Sequence, residues 1–166
     1  SDLVISHPPS AAADTAETDE DMPVTIIVLD NDSDPDGDSL TVQSVSAPAH
    51  GTATTDGTNV VYTPDLHWHG TEVFSYTVKD QWNYTDTANI TVKVNPVANE
   101  PEAVDDETLT APESAVVIDV LANDHDFDDV GISIQSTTDP LHGSVLNNGT
   151  SVMYTPDTGF EGTDTF

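Results

Sequence analysis

The sequence repeats itself at a spacing of 92 residues, and this period limits the folds that the chain can adopt. Shifted by that distance without a gap, residues 29–36 align with residues 121–128 and keep a leucine, an asparagine and three aspartates. The same register places the Tyr-Thr-Pro-Asp of residues 62–65 on that of residues 154–157. A unit of this length buries a core of its own, whereas a solenoid repeat needs its neighbours. The sequence therefore predicts two tandem domains.

Short runs of Val, Ile, Tyr and Phe, bounded by Gly, Pro, Asn and Asp, indicate β-strands. In the stretch VFSYTVKD, alternation places Phe74, Tyr76 and Val78 on one face, which we expect to be buried. About seven short strands in one copy favour an immunoglobulin-like sandwich over a barrel. The predicted fold class is all-β, with two tandem β-sandwich domains. The strands predicted for the first copy are 12–17, 24–29, 40–46, 52–55, 59–63, 73–79 and 87–94.

Charge sets the next constraint, because 31 acidic residues face only two basic ones and the net charge is −29. Such a chain repels nucleic acid and anionic membrane surfaces, so neither is an expected partner and no membrane insertion is predicted. Acidic chains with few aromatics are often disordered, but the alternating strand pattern favours an ordered protein. With no cysteine, disulfides and thiolate metal sites are excluded.

The stretch DNDSDPDGD, residues 30–38, carries an aspartate at every second position. Carboxylates crowded without Lys or Arg require a cation, and hard oxygen ligands in this number select calcium. An EF-hand is excluded, because position 12 counted from Asp32 is Gln43 rather than glutamate and the flanking segments are predicted strands. The alternative is an ordinary solvated acidic turn. That alternative leaves unexplained why the same acids recur in the second copy.

In a sandwich, the loop after the second strand lies beside the point where the chain enters the domain, and the loop between the last two strands reaches the same end. We therefore expect acids from both loops and from the entry segment to converge on Ca²⁺. The predicted metal ligands are Asp14, Asp32, Asp34, Asp36, Asp38, Asp80, Asn99, Glu100, Asp105, Asp106, Asp124, Asp126 and Asp128.

Proline-containing segments separate the predicted domains. We assign residues 1–10 to a linker from a preceding repeat, 11–95 to the first domain, 96–104 to a calcium-binding linker and 105–166 to the second domain. The second copy ends at Phe166, the counterpart of Phe74, before its last two strands. Either the sequence is a fragment of a longer protein, which we favour, or another chain supplies the strands by β-augmentation.

The segments VLDNDSDPDGDSLTV, HGTATTDGTNVVYTPD and DVLANDHDFDD resemble the bacterial immunoglobulin-like and cadherin-like repeats of large secreted surface proteins. The resemblance covers both copies almost entirely. It implies a calcium-stiffened extracellular rod, secreted or on the cell surface, such as occurs in adhesins and beside secreted polysaccharide-degrading enzymes. It maps calcium ligands onto the linker acids and the alternating loop acids. The second copy departs from the first, with Phe127 and Asp129 in place of Pro35 and Gly37.

Two aromatic-rich segments are weaker candidates. His67 and His69 lie two residues apart, which on an extended segment is half of a zinc, copper or nickel site. With no third ligand evident, we favour a surface loop in which Trp68 packs like its counterpart Phe160. Trp82 and Tyr84 are candidate sugar-stacking residues, although packing or a domain-junction contact is the favoured interpretation.

Two functions fit these features. The first is a structural spacer, in which calcium stiffens a string of domains and the partners are neighbouring repeats. The second is a calcium-dependent module that binds a surface polysaccharide or another surface protein. No nucleophile elbow or apolar carboxylate pair is evident, so we do not expect an enzyme.

Overall fold

The computed structural model describes residues 6–166, so the first five residues of the predicted leading linker lie outside the description. The chain divides into two compact units, Ser1–Val97 and Ala98–Phe166. In the range 6–166 no helix has the length and apolar character needed to cross a bilayer.

Unit 1 contains the seven strands that its alternating pattern predicts, joined along the chain by turns and loops. Glycine or aspartate occurs in these turns, in agreement with the prediction that such residues separate the strands. The strands are β1 (Asp14–Asp19), β2 (Val24–Ile26), β3 (Thr41–Val45), β4 (Thr52–Thr55), β5 (Val60–Thr63), β6 (Gly70–Lys79) and β7 (Thr85–Asn95).

The second predicted strand, 24–29, is only partly correct, because it ends at Ile26 and a 3₁₀ helix follows at Val28–Asp30. Strict alternation would turn one of two consecutive residues outward. The 3₁₀ turn instead lets Val28 be fully buried while Leu29 also packs against the core. It also begins the loop that carries the alternating aspartates.

The strands of unit 1 form two sheets, β1-β7-β6-β3 and β2-β5-β4. Strand β1 runs parallel to β7, and the other neighbours are antiparallel. The last two strands thus lie beside the third, as an immunoglobulin-like sandwich requires. Both sheets contribute to one core, which confirms the predicted sandwich. Its buried residues are Ile26, Val28, Val42, Val60, Tyr62, Phe74, Tyr76, Val78, Ile90, Val92 and Val94.

Unit 2 contains one three-stranded sheet among its described residues, in the order β8-β10-β9. The strands are β8 (Val116–Ile118), β9 (Gly143–Asn147) and β10 (Val152–Pro156), which the 92-residue register places on β2, β4 and β5. In unit 1, β1 and β3 pair with β7 and β6, and the sequence repeats only the first part of β6, at residues 162–166. Among the described residues of unit 2, Leu109, Val130 and Leu141 are at least 80% exposed.

Candidate metal centre

The acidic loop of unit 1 folds around the carboxylate of Asp34. Its Oδ1 accepts hydrogen bonds from the backbone N–H groups of Asp36 (2.8 Å) and Asp38 (3.2 Å). Gly37 adopts a φ of +75°, in the left-handed region that glycine enters without strain, and donates to the carbonyl of Asp34. The tight turn draws the three side chains together, so that one carboxylate oxygen from each lies within 4.8 Å of the others.

Among residues 6–166, the lysine ion pair that the structure shows is Lys93 with Glu17, and no lysine pairs with these three carboxylates. The Oδ2 atoms of Asp34 and Asp38 are buried and have no hydrogen-bond partner among residues 6–166. Asp36 is the exception, because His7 donates its backbone N–H to Oδ2 at 2.6 Å and places Nδ1 3.0 Å from Oδ1. The hydrogen bond from the His7 N–H lowers the pKa of Asp36. The loop therefore holds negative oxygens close together in a partly dehydrated place.

Asp32 lies in the same loop but faces the entry segment. Its Oδ1 accepts hydrogen bonds from the backbone N–H of Ala12 (2.8 Å) and from the hydroxyl of Tyr76 (2.9 Å). That hydroxyl also lies 2.8 Å from the carbonyl of Ala12. Burial raises the pKa of Tyr76, which keeps the hydroxyl protonated. Asp32 thus anchors the entry segment, beside the three-carboxylate group rather than within it.

Asp14 and Asp80 each hold a buried Oδ2 without a hydrogen-bond partner in the described part of the chain. Burial raises the pKa of Asp14, and the charge of Asp32 adds to the effect. Asp80 is 3% exposed, and its Oδ1 accepts the N–H groups of Trp82 and Tyr84, each at 2.8 Å. This arrangement fixes the loop between β6 and β7.

The loop between β6 and β7 is joined directly to the acidic loop. Gln81, which follows the buried Asp80, donates its side-chain N–H to Asp38 Oδ1 at 2.5 Å. Trp82 and Tyr84, on the same loop, are 54% and 48% exposed, so neither is absorbed into the core. The two loops that were predicted to converge are therefore linked by a hydrogen bond.

The entry segment is fastened to the acidic loop by a set of contacts that we call the entry clasp. In unit 1 it comprises the Ser10–Ser33 backbone bridge, the Ala12–Asp32 hydrogen bond and a hydrogen bond from the Asn31 side chain to the carbonyl of Ala13 at 3.1 Å. All three contacts join the chain before β1 to the turn after β2. The clasp thus determines where the chain enters the sandwich.

Unit 2 repeats the entry clasp at every position of the 92-residue register. Glu102 and His125 form the bridge, Val104 N–H donates to Asp124 at 2.8 Å, and Asn123 donates to the carbonyl of Asp105 at 3.2 Å. The counterpart of His7 also recurs. Asn99 donates its backbone N–H to Asp128 Oδ2 at 2.7 Å. The contacts therefore belong to the repeat rather than to one copy.

The carboxylates of the two loops nevertheless differ in arrangement. Asp126 accepts hydrogen bonds from Asp128 N–H (3.3 Å) and Gly131 N–H (2.6 Å), which uses both of its oxygens. Asp129 takes the left-handed conformation of Gly37, at φ +53°. Within residues 6–166, only Asp34, Asp36 and Asp38 place three metal-type ligand atoms within 4.8 Å.

The remaining predicted ligands of unit 2 lie on the surface. Glu100, Asp105 and Asp106 are exposed, and Asp105 takes part in the entry clasp through its backbone carbonyl. Asn123, which was not predicted, has a buried Oδ1 without a hydrogen-bond partner in the range that the structure describes.

Three contributors were not predicted from the sequence: His7, Tyr76 and Gln81. The 92-residue register could have indicated His7, because it aligns with Asn99, which was a predicted ligand. Tyr76 follows the buried alternation of β6 and was assigned to the core alone, yet its hydroxyl reaches the entry segment. Gln81 had no distinguishing signal.

Comparisons with known proteins agree with this architecture. A family model described as "Bacterial Ig domain" matches residues 6–93 and again residues 95–166. No curated protein sequence matches the chain.

Several solved structures are similar to this chain at low identity, each with a TM-score below 0.5. The extracellular cadherin domains 3–6 of protocadherin gamma B2 are 14% identical over 93% of this chain and 40% of theirs, with a TM-score of 0.48. An endo-fucoidan hydrolase of glycoside hydrolase family 107 is 19% identical over 93% of this chain and 26% of its own, with a TM-score of 0.43. SGBP-B of the Bacteroides ovatus mixed-linkage glucan utilization locus, solved with a mixed-linkage heptasaccharide, is 14% identical over 95% and 42%, with a TM-score of 0.39. This chain thus spans less than half the length of each.

Proposed function

This chain belongs to the bacterial Ig domain family as a tandem repeat, and from that premise we propose that it is a calcium-stiffened spacer of an extracellular bacterial protein. Its immediate partners are neighbouring repeats of the same protein. Its surroundings are the secreted or cell-surface compartment, where calcium is abundant enough to occupy weak oxygen sites.

The observation that carries the proposal is the set of buried carboxylate oxygens. In the described residues, Asp14, Asp34, Asp38 and Asp80 each hold a buried Oδ2 without a hydrogen-bond partner. A buried charge is costly unless it is paired or bound to a metal. Two of these atoms belong to the group formed by Asp34, Asp36 and Asp38, whose arrangement fits a site that a cation completes.

The chemistry of these donors fits calcium. Asp34, Asp36 and Asp38 would hold the ion, since their carboxylates already lie within 4.8 Å of one another. Calcium takes six to eight oxygen ligands in a flexible geometry, and no sulfur or imidazole is needed. When bound, the ion supplies two positive charges that offset the repulsion among these carboxylates. Asp14 and Asp80 offer additional oxygens from β1 and from the loop after β6.

The entry clasp gives such a site a mechanical consequence. The acidic loop is joined to the entry segment through His7, Ser10 and Ala12. Repulsion within the loop opposes this arrangement, and neutralisation favours it. A stabilised clasp restricts the directions from which the chain enters the sandwich. Repeated in every domain, this restriction would convert a flexible string of domains into a stiff rod.

Calorimetry and thermal unfolding test the proposal directly. We expect Ca²⁺ to release heat on binding and to raise the melting temperature relative to chelator, because it binds the folded state alone. Small-angle scattering should show a longer, narrower particle in millimolar calcium. The double variant Asp34→Asn/Asp38→Asn should lose these responses in unit 1.

A matched control separates site loss from charge loss. The double variant Glu107→Gln/Asp139→Asn removes two exposed acids of unit 2 and should keep the calcium response. Absence of binding heat in the unmodified protein, together with equal particle dimensions in calcium and chelator, would refute the proposal.

A second candidate function rests on Trp82 and Tyr84. Both side chains are about half exposed, and Asp80 fixes the backbone that carries them. Rigid, exposed aromatic side chains are suited to stacking on sugar rings. A calcium-dependent module for surface polysaccharide, or for another surface protein, would use this loop. Retention on insoluble polysaccharide that is reversed by chelator and abolished by Trp82→Ala would favour it over the spacer.

A further inference from the structure

A second group of potential metal ligands lies in unit 1, apart from the acidic loop. It consists of Glu20 and Asp21 in the turn after β1, and of His67 and His69 in the turn before β6, and we call it the exit cluster. The Nδ1 atom of His67 lies 3.5 Å from Asp21 Oδ2, and that of His69 lies 3.5 Å from Glu20 Oε2. The fold thus supplies carboxylate partners for both imidazoles of the His-Trp-His motif. Those partners lie more than 40 residues away in sequence, and no local pattern reveals them.

The two 3.5 Å separations are informative. A charge-assisted hydrogen bond between nitrogen and carboxylate oxygen is about 2.7–2.9 Å long. Two ligands at about 2.0–2.2 Å from one tetrahedral ion are about 3.3–3.5 Å apart. Each histidine–carboxylate pair therefore has the separation of two ligands on one ion, although no three of the four ligand atoms lie within 4.8 Å of one another. The four atoms stand as two pairs, so a shared ion requires the partly exposed imidazoles to rotate towards each other.

Comparison with the second copy shows that the turn itself does not require histidine. His67 adopts a φ of +57°, and its counterpart Gly159 adopts +77°. Glycine adopts this backbone conformation without strain, whereas a residue with a Cβ atom is strained in it. The other members differ as well, since Pro112 and Glu161 stand at the positions of Glu20 and His69. Unit 1 thus keeps a histidine, with its backbone in the left-handed region, where unit 2 has glycine.

The exit cluster is also tied to the segment that leaves β7. The side chain of Glu20 is 1% exposed, and its Oε1 accepts the backbone N–H of Val97 at 2.9 Å. Its own N–H donates to the carbonyl of Asn95 at 2.9 Å. Asp21 holds the other turn, because its Oδ1 accepts the backbone N–H of His67 at 2.7 Å. An ion held here would join two turns to the chain that leaves the sandwich.

We propose that His67, His69, Glu20 and Asp21 bind a divalent first-row transition-metal ion of the zinc type. Two imidazole nitrogens with two carboxylate oxygens suit zinc, copper or nickel, whereas calcium selects oxygen ligands alone. Unit 1 would then carry a hard-ion site at the chain's entry and a borderline-ion site at its exit.

Zinc titration of the calcium-saturated full chain tests this site, because calcium occupies the acidic loops beforehand. We expect one binding event and a rise in melting temperature. The variant His67→Gln/His69→Gln should weaken zinc binding more than about tenfold, since each imidazole is a direct ligand. The matched control His125→Gln/His142→Gln removes two histidines from unit 2 and should bind zinc as the unmodified protein does.

Two further measurements keep the outcome decisive. An unchanged calcium response in His67→Gln/His69→Gln shows that the variant is folded and separates this proposal from the proposed function. Should that variant fail to fold, Co²⁺ added to the unmodified protein must give the intense visible absorption of a tetrahedral site. Zinc binding that persists in the folded variant, or no binding at all, overturns the proposal and leaves only histidine–carboxylate pairing.

Discussion

The two units agree closely at their entry and differ in their interior. The entry clasp joins equivalent residues in both, and the bridge Ser10–Ser33 is matched by Glu102–His125. The bridging side chains differ completely, yet the backbone contacts are the same. In contrast, unit 1 closes two sheets over one core, while unit 2 has one sheet within its described residues. The clasp is thus a local structure that forms without a complete sandwich.

A second shared structure, which we call the histidine corner, lies just before β4 in unit 1 and just before β9 in unit 2. His50 stacks on Trp68 with ring centroids 4.5 Å apart, and His142 stacks on Phe160 at 4.4 Å. A carboxylate accepts the backbone N–H of each histidine, from Glu72 in unit 1 and Asp164 in unit 2. The repeat therefore retains interactions through different side chains. The unfolding free energies of variants at these positions show which of the shared interactions stabilise the protein.

The largest effect is expected from Gly51→Ala in the histidine corner. A Cβ at Gly51 would lie 2.2 Å from the carbonyl oxygen of Thr63, and its φ of +126° is strained for alanine. We expect a loss of more than about 3 kcal/mol in unfolding free energy, from overpacking and backbone strain together. Denaturation followed by tryptophan fluorescence reports on unit 1 alone, because Trp68 and Trp82 are the chain's two tryptophans.

Gly57→Ala is the matched control for that variant. Gly57 has a φ of +95°, but a Cβ added there would have no other atom within 4 Å, so only backbone strain applies. We expect it to cost about 1 kcal/mol. Equal losses for the two variants would contradict the close contact at Gly51.

The next largest effect is expected from Glu72→Gln. Burial raises the pKa of Glu72, but hydrogen bonds from Ala49 and His50 outweigh burial, so the pKa lies below its ordinary value of 4.5. A carboxylate whose pKa is lowered by folding adds stability above its unfolded pKa and loses it as the pH falls. We expect Glu72→Gln to lower the unfolding free energy by about 2–3 kcal/mol at neutral pH. The side-chain NH₂ of the new glutamine would point at the backbone N–H groups that now donate to Glu72.

The pH profile checks the cause of that loss. Stability of the unmodified unit 1 should fall as the pH drops below about 4.5, and the Gln variant should fall less. Asp65→Asn, which also removes one carboxylate but at an exposed position, is the matched control for the change in charge. Parallel pH profiles for the unmodified protein and Glu72→Gln would show that the carboxylate's charge is not responsible.

Alternation and turn residues were enough to predict the sandwich. The strand at 52–55 was predicted at its observed bounds, because turn residues flank it on both sides. Local pattern failed at residues 28–30, where tertiary burial of Val28 and Leu29 favours a 3₁₀ turn over strand alternation. Sequence therefore predicted the elements well and the irregular turn poorly.

The candidate site could be predicted only in part, for a similar reason. Spacing two residues apart placed Asp34, Asp36 and Asp38 in one loop, and the turn around Asp34 brings them together. Contacts such as that of Tyr76 with Ala12 join residues 64 apart in sequence. The pairing of β1 with β7 determines such contacts, and a short sequence motif cannot predict that pairing.

A smaller effect is expected from Tyr76→Phe, which removes a hydroxyl that contacts two residues of the entry clasp in unit 1. The hydroxyl of Tyr76 contacts both Asp32 and the carbonyl of Ala12. Its removal leaves two partly buried acceptors with one donor fewer, and we expect a loss of about 1–2 kcal/mol in unfolding free energy. Chemical denaturation measures it. Tyr84→Phe, on a half-exposed ring, should change stability by less than about 0.5 kcal/mol.

The smallest effect is expected from Trp68→Phe, which transfers the ring of unit 2 into unit 1. Phe160 already stacks on His142 in the equivalent place, so the corner accepts a smaller ring, and the loss should stay below about 1 kcal/mol. Trp68→Ala removes the stacking partner of His50 and should cost about 2 kcal/mol or more. Far-ultraviolet circular dichroism measures both variants without relying on the indole.

The glycine beside each ring indicates why the exchange should be tolerated. A Cβ at Gly70 would lie 3.1 Å from the Trp68 ring, and one at Gly162 would lie 3.3 Å from the Phe160 ring. Both copies therefore leave the same space for whichever ring is present. If Trp68→Phe proved as costly as Trp68→Ala, the indole would have a specific role in unit 1. The two corners would then be related by sequence register but not by energetics.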